Sequence, residues 1–155
     1  MSRVVMALSG GMDSTALLLH MLVRSSRVTC ISYDYGQKHI VELQRASANI
    51  DYLHSEGYTV EHIVADLSSA MALFDSSLTD SETPVPEGHY EEEQMKQTVV
   101  PNRNAIFSSI LYGYALSVST KEDVDVSMTL GVHSGDHAIY PDCRPEFYDA
   151  LKHAF

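Results

Sequence analysis

The feature that most constrains this chain is a glycine pair between an apolar run and a helical stretch. Val4-Val5-Met6-Ala7-Leu8 leads into Ser9-Gly10-Gly11, and Asp13-Ser14-Thr15-Ala16-Leu17-Leu18-Leu19 follows. An apolar run without polar alternation suits a strand buried on both faces. A buried strand that enters a helix through a tight turn is the opening unit of a parallel α/β fold. The same turn is suited to an anion. Glycines let the backbone approach a phosphate with no Cβ in the way, and the first N–H groups of the helix point at it. Ser9 and Ser14 add hydroxyl donors. Asp13 carries the wrong charge for phosphate, so its expected role is to hold a Mg²⁺ that the phosphate shares. No Gly-Lys-Ser/Thr closes the loop and the G-x-G-x-x-G spacing is absent, so it is neither a Walker loop nor a dinucleotide fingerprint. The competing reading is a tight turn and helix start with no ligand.

The rest of the chain repeats the strand–helix alternation. Val28 to Tyr33 is β-branched and aromatic, Ile40 to about His54 has one helical face capped by Gly57, and Tyr58 to Val64 reads as a third strand. Residues 65–97 break the pattern with Pro84-Val85-Pro86-Glu87-Gly88 and the acidic Glu91-Glu92-Glu93. A connection of that length is expected to be a functional loop, a lid or partly disordered. A helix from about Asn104 to Val118, a strand over Val124 to Val132, a polar loop over His133 to Arg144 and a helix from Pro145 complete the order. The expected fold is α/β, a doubly wound, mostly parallel sheet of about four to five strands with helices on both faces. Residues 1–155 are expected to form a single domain.

Composition narrows the function. The 10 Lys plus Arg against 21 Asp plus Glu give a net charge of −11, and the apolar share of 45% is too high for a disordered acidic chain. An acidic surface argues against general nucleic-acid binding, which needs a basic face, but leaves room for a local anion pocket. Cys30 and Cys143 alone make neither a disulfide framework nor a four-cysteine zinc site. The stretch Ala16 to Val23 contains His20 and falls far short of the ~20 residues of a spanning helix. No secretory signal is visible, and a cytoplasmic, non-membrane protein is the expectation.

Three further segments carry polar chemistry. Asp34-Tyr35-Gly36-Gln37-Lys38-His39 follows the second strand, where ligands bind in open α/β sheets, and Lys38 is placed to neutralise phosphate charge. In Val100-Pro101-Asn102-Arg103-Asn104 either asparagine can cap the next helix. Arg103 is unfavourable to a helix start, so its planar cation points to a phosphate or adenylate. Gly131 to Arg144 holds His133, Asp136, His137, Tyr140, Asp142, Cys143 and Arg144, a mixture that matches no zinc spacing. It suits hydrogen-bond recognition of a flat polar ring, with Arg144 holding a carboxylate.

The Ser9-Gly10-Gly11-Met12-Asp13-Ser14 segment resembles the pyrophosphate loop of the N-type ATP pyrophosphatase superfamily. Together with Tyr35-Gly36-Gln37-Lys38-His39, Val100-Pro101-Asn102-Arg103-Asn104 and Tyr140-Pro141-Asp142-Cys143-Arg144, it resembles the 7-cyano-7-deazaguanine synthase family of the queuosine and deazaguanine pathway. Pro84-Val85-Pro86-Glu87-Gly88-His89-Tyr90 is similar to that family's substrate-side loop. The resemblance implies an adenine nucleotide alpha-hydrolase-like fold and an ATP-dependent ligase. Its reaction is conversion of 7-carboxy-7-deazaguanine and ammonia to the nitrile through an adenylate and an amide. It implies that Leu8, Ser9, Gly10, Gly11, Asp13, Ser14 and Arg103 hold ATP and Mg²⁺. Lys38 and Arg103 would be catalytic, with Asp136, Tyr140, Asp142 and Arg144 on the deazaguanine. The family's four-cysteine zinc site is expected to be missing from this chain, and a homodimer is left open. Alternatives are an enzyme that stops at 7-amido-7-deazaguanine or passes the activated base to another amine, or a nucleotide-binding subunit without turnover. An RNA sulfurtransferase is opposed by the acidic charge and the lack of a catalytic cysteine pair.

Overall fold

The computed structural model describes residues 3–25, 27–36, 41–74, 100, 102–132 and 141–155. They include β1 (Arg3–Ala7), α1 (Met12–Arg24), β2 (Arg27–Asp34), α2 (Val41–Ser55), β3 (Val60–Asp66) and a short α3 (Ser68–Met71). Then come α4 (Arg103–Glu122), β4 (Val126–Thr129), a 3₁₀ turn (Pro141–Cys143) and α5 (Pro145–Ala154). The boundaries follow the apolar pattern closely, with two differences of substance. Helix α4 runs four residues further than the periodicity predicts, and β4 is confined to Val126–Thr129 rather than Val124 to Val132. The terminal glycine-containing part of that expected strand belongs to a loop.

The described residues fall into two compact units. The first gathers those of Met1–Tyr33, Ile40–Ala65 and Phe107–Val132. It contains a four-stranded sheet in the order β3-β2-β1-β4. Strand β1 runs parallel to β2, with Val4 opposite Val28 and Met6 opposite Cys30, and parallel to β4, with Val5 opposite Met128. Both faces of β1 are covered, which is why its sequence is a continuous apolar run. On one face Val4, Met6, Leu8, Val28 and Cys30 pack with Leu18 of α1 and Ala46, Ile50 and Leu53 of α2. On the other, Tyr33 stacks on Phe107 of α4 with ring centroids 4.1 Å apart, and its hydroxyl donates to the Phe107 carbonyl at 2.9 Å. Helices therefore lie on both sides of the sheet, the doubly wound arrangement expected. The strand order reverses between β1 and β4, which is the switch point where open α/β sheets bind ligands.

The second unit gathers the described residues of Asp34–His39, Asp66–Ile106 and His133–Phe155. Its chain segments are tied by hydrogen bonds rather than by a sheet. The Leu67 N–H donates to the Asp34 carbonyl at 2.6 Å, and Asp66 accepts from both the N–H and the hydroxyl of Ser68 at the start of α3. Among the described residues no helix is long and apolar enough to cross a membrane.

Candidate nucleotide site

The glycine loop leaves the carboxyl end of β1, as the alternation of apolar run and glycine pair requires. Gly10 sits at φ +80°, and a Cβ there would lie 2.5 Å from the Glu42 carbonyl oxygen and 2.7 Å from the Ala46 nitrogen of α2. Only glycine fits, for both reasons. Gly11 is the N-cap of α1 and offers no side-chain cap, so the first N–H groups of that helix have no partner of that kind. From the β4 side Gly131 closes in, where a Cβ would stand 3.3 Å from both Cα and N of Ser14. The loop is thus lined by main chain, the surface an anion needs.

The two serines hydrogen-bond to each other and to the main chain of the loop. Ser14 is buried, and its hydroxyl donates to the Gly11 carbonyl at 3.2 Å while accepting the Ser9 N–H at 3.2 Å. The Ser9 and Ser14 hydroxyls lie 3.0 Å apart, and Ser9 Oγ also accepts the Gly11 N–H at 3.3 Å. Both hydroxyls are spent on shaping the loop. Helix α2 braces it further: Asn49 donates to Thr15 Oγ1 at 3.0 Å, and that hydroxyl donates to the Gly11 carbonyl at 2.7 Å. Asp13 is exposed in the first turn of α1. An exposed carboxylate beside a main-chain-lined loop is a group that Mg²⁺ can take, since it binds one or two carboxylates together with phosphates and waters. Among the described residues no group of three or more His, Cys, Asp or Glu gathers for a metal.

A second polar cluster lies within the second unit. Arg103 opens α4, with its guanidinium 5.7 Å from the centre of the Tyr35 ring and Nη1 3.4 Å from the Tyr35 hydroxyl. The flat cation is held against a buried aromatic face. Asn104 is the hub beside it. Its N–H donates to Asp142 Oδ2 at 2.7 Å, and its amide donates to the Asp142 carbonyl at 3.4 Å and to Cys143 Sγ at 3.2 Å. The expected cap of α4, Asn102 or Asn104, is replaced. Asn102 adopts φ 57° and accepts from Ile106 through its carbonyl, while Asp142 supplies the capping carboxylate from 38 residues away. Arg144 is exposed and is the N-cap residue of α5, where its carbonyl accepts from Phe147 and Tyr148. Burial raises the Tyr148 hydroxyl above its usual range, with Cys143 and Asp142 adding to the shift.

The structure therefore brings Leu8, Ser9, Gly10, Gly11, Asp13 and Ser14 into one loop and Arg103 and Asp142 into one cluster. Lys38, Asp136 and Tyr140 lie outside the described residues, as do the Pro84 to Tyr90 segment and the acidic run. Sequence reasoning missed Gly131, Asn49 and the hub role of Asn104. A glycine just past the strand next to the switch point was the available signal for the first; the other two depend on long-range packing and left none.

A doubly wound parallel sheet with a main-chain-lined glycine loop at its switch point defines an α/β protein of the class that takes ligands at that crevice. The chain matches the family described as "Queuosine biosynthesis protein QueC" over residues 3–155, and it belongs to that family. It is 49% identical over 150 residues to the 7-cyano-7-deazaguanine synthase of Alteromonas mediterranea, covering 97% of this chain and 64% of that protein. With the Methanoregula boonei protein of the same name it shares 44% over 153 residues, covering 99% and 66%. With that of Caldicellulosiruptor saccharolyticus it shares 45% over 150 residues, covering 97% and 62%. The chain thus spans less than two thirds of the length of these relatives. An NH3-dependent NAD synthetase from Campylobacter jejuni shares the fold, with a TM-score of 0.53 at 16% identity over 86% of this chain and 48% of that one.

Proposed function

We propose that this chain carries the ATP-activating centre of a 7-cyano-7-deazaguanine synthase, acting on 7-carboxy-7-deazaguanine and ammonia. The observation that carries the reading is the glycine loop, main-chain lined at the switch point, within a chain that matches its family from residue 3 to residue 155. In this reading the N–H groups at the start of α1 hold the ATP phosphates, and Gly10, Gly11 and Gly131 keep side chains out of the way. Asp13 would hold Mg²⁺, whose charge would offset that of the pyrophosphate. The substrate carboxylate attacks the α-phosphorus, pyrophosphate leaves, and ammonia displaces AMP to give the amide. A second adenylation, now of the amide oxygen, is followed by loss of AMP and a proton to give the nitrile.

The chain's own residues contribute position and charge rather than a covalent intermediate. Arg103, fixed against Tyr35, supplies a permanent planar cation for an adenylate oxygen. Lys38 shares that charge task, and Asp136, Tyr140, Asp142 and Arg144 form the deazaguanine side, all by the family resemblance. The Asp142 contact to Asn104 supports a second role for Asp142, in holding the Arg103 turn. A single domain working in the cytoplasm completes the reading.

Incubation with ATP, Mg²⁺, ammonia and 7-carboxy-7-deazaguanine, followed by mass spectrometry, tests it. The expected result is nitrile with two AMP per product. Accumulating amide with one AMP assigns the chain to amide formation. No AMP under any condition leaves a nucleotide-binding segment without turnover and overturns the enzymatic reading.

A further inference from the structure

The peptide that launches the glycine loop, between Leu8 and Ser9, is held at both of its polar atoms. The Ser9 N–H goes to Ser14 Oγ at 3.2 Å within the loop. The Leu8 carbonyl goes the other way, into the sheet, where Ser32 Oγ donates to it at 2.6 Å. Ser32 is fully buried in β2 and has a single proton. That proton is committed to the Leu8 carbonyl, so His62 Nε2, 2.8 Å from Ser32 Oγ, must be the donor in the second contact. The proton order is therefore His62 Nε2–H to Ser32 Oγ and Ser32 Oγ–H to Leu8 carbonyl. The Leu8 N–H is meanwhile fixed by the Ile31 carbonyl at 2.9 Å.

We infer that Ser32 and His62 are positioning residues for the nucleotide loop, acting through the Leu8 carbonyl to set the plane of the peptide from which that loop departs. The inference rests on the reading of the loop as a nucleotide site. The physical reason is that Leu8 lies just beyond β1, where the ladder to β2 ends. Its carbonyl accepts the Ser32 hydroxyl, and a buried acceptor deprived of such a partner rotates to find another. Rotation of that peptide carries the Ser9 N–H off Ser14 and opens the hydroxyl network that holds Gly11. His62 orients the Ser32 hydroxyl by donating to it, so the hydroxyl proton is left free to point at Leu8 only. Neither side chain touches a ligand in this scheme.

Two readouts test this on the full chain. Hydrogen exchange of the peptide containing residues 8–14, in the protein without nucleotide, reports the loop itself. ATP affinity with Mg²⁺ reports the consequence. Ser32→Ala is expected to speed loop exchange and weaken ATP about tenfold, the usual cost of one unpaired buried acceptor. His62→Leu is expected to move both in the same direction. His62→Gln, whose amide N–H can still donate to Ser32, is expected to restore both to within about twofold of wild type. A purely structural role would lower the melting temperature of Ser32→Ala yet leave exchange of the 8–14 peptide and ATP affinity as in wild type; that result overturns the inference. Equal loss in His62→Leu and His62→Gln overturns the donor assignment. Wild-type protein that binds no ATP overturns the nucleotide reading, while the exchange comparison still decides the relay.

Discussion

Asp142 Oδ2 accepts the main-chain N–H of Asn104 at 2.7 Å, across 38 residues of sequence. A helix start that bears Arg103 and lacks an acid in its first turn repels its own side chain, and a carboxylate at the N-terminus compensates. Asp142→Ala is expected to cost about 1 kcal/mol, the usual value of an N-cap. Asn caps about as well as Asp, so Asp142→Asn is expected to keep most of that stability. Urea unfolding of the two variants checks it. A loss as large in Asp142→Asn as in Asp142→Ala removes the capping role.

Gly10 tolerates no side chain because α2 main chain occupies the space. Its Cβ would fall 2.5 Å from the Glu42 oxygen, and main chain cannot swing aside. Gly10→Ala is expected to destabilise by about 3 kcal/mol, overlap and backbone strain together, and to abolish ATP binding. Gly57→Ala isolates the strain alone, since Gly57 has φ +86° with nothing near its Cβ position. About 1 kcal/mol is expected there, with ATP binding intact. Similar losses in both variants, by chemical denaturation, place the cost in φ and leave the α2 contact without weight.

Much of this was legible beforehand because its causes are local. The uninterrupted apolar run of Val4 to Leu8 announces a strand covered on both sides, and Gly10-Gly11 announces the turn into α1. The helix ending before Gly57 closes as read, with the Tyr58 N–H on the Leu53 carbonyl. What failed was what depends on distant partners. Asn102 and Asn104 look like caps by composition, yet the cap is Asp142, because the 3₁₀ turn after residue 140 delivers a carboxylate that outcompetes the local amide. His62 reads as one polar position on an edge strand, and nothing in the sequence says that it meets Ser32.

The two cysteines should differ sharply in reactivity. Burial pushes the Cys30 thiol up to about 12, so almost no thiolate exists at pH 8. Cys143 is only partly buried. One thiol per chain is expected to react with a disulfide reagent in native protein, and the second only after denaturation. Rapid modification of both in native protein contradicts the packing of Cys30 between the sheet and the helices.

Arg3, buried at the opposite end of β1 from the glycine loop, contacts Glu61 at 3.3 Å and Glu122 at 3.6 Å. Glu61 also accepts the Thr29 hydroxyl at 2.8 Å, so edge strand, centre and α4 meet there. Arg3→Met takes the cation from Glu61, while Glu122 keeps Arg27 at 3.3 Å. A fully buried pair would lose about 3–5 kcal/mol, but Glu61 is half exposed, so about 2 kcal/mol is expected. Calorimetric unfolding measures it. An unchanged midpoint shows that solvent already screens the cluster.

His62 gives stability a pH dependence of determinate sign. Burial holds its imidazole below the ordinary 6.5, Asp51 raises it in part, and His54 lowers it. Between the lowered value and 6.5 the unfolded chain binds a proton at this site that the folded chain does not. Unfolding takes up protons there, so this contribution to stability rises with pH through that window and is constant above it. Glutamine at this position cannot titrate but can still donate to Ser32. The urea midpoint of wild type relative to His62→Gln is therefore expected to fall as pH drops from 7.5 to 5. The other histidines are common to both proteins and largely cancel in the difference. A midpoint difference that is flat across that range, or that grows in favour of wild type on acidification, shows that burial does not hold the His62 imidazole below its ordinary value.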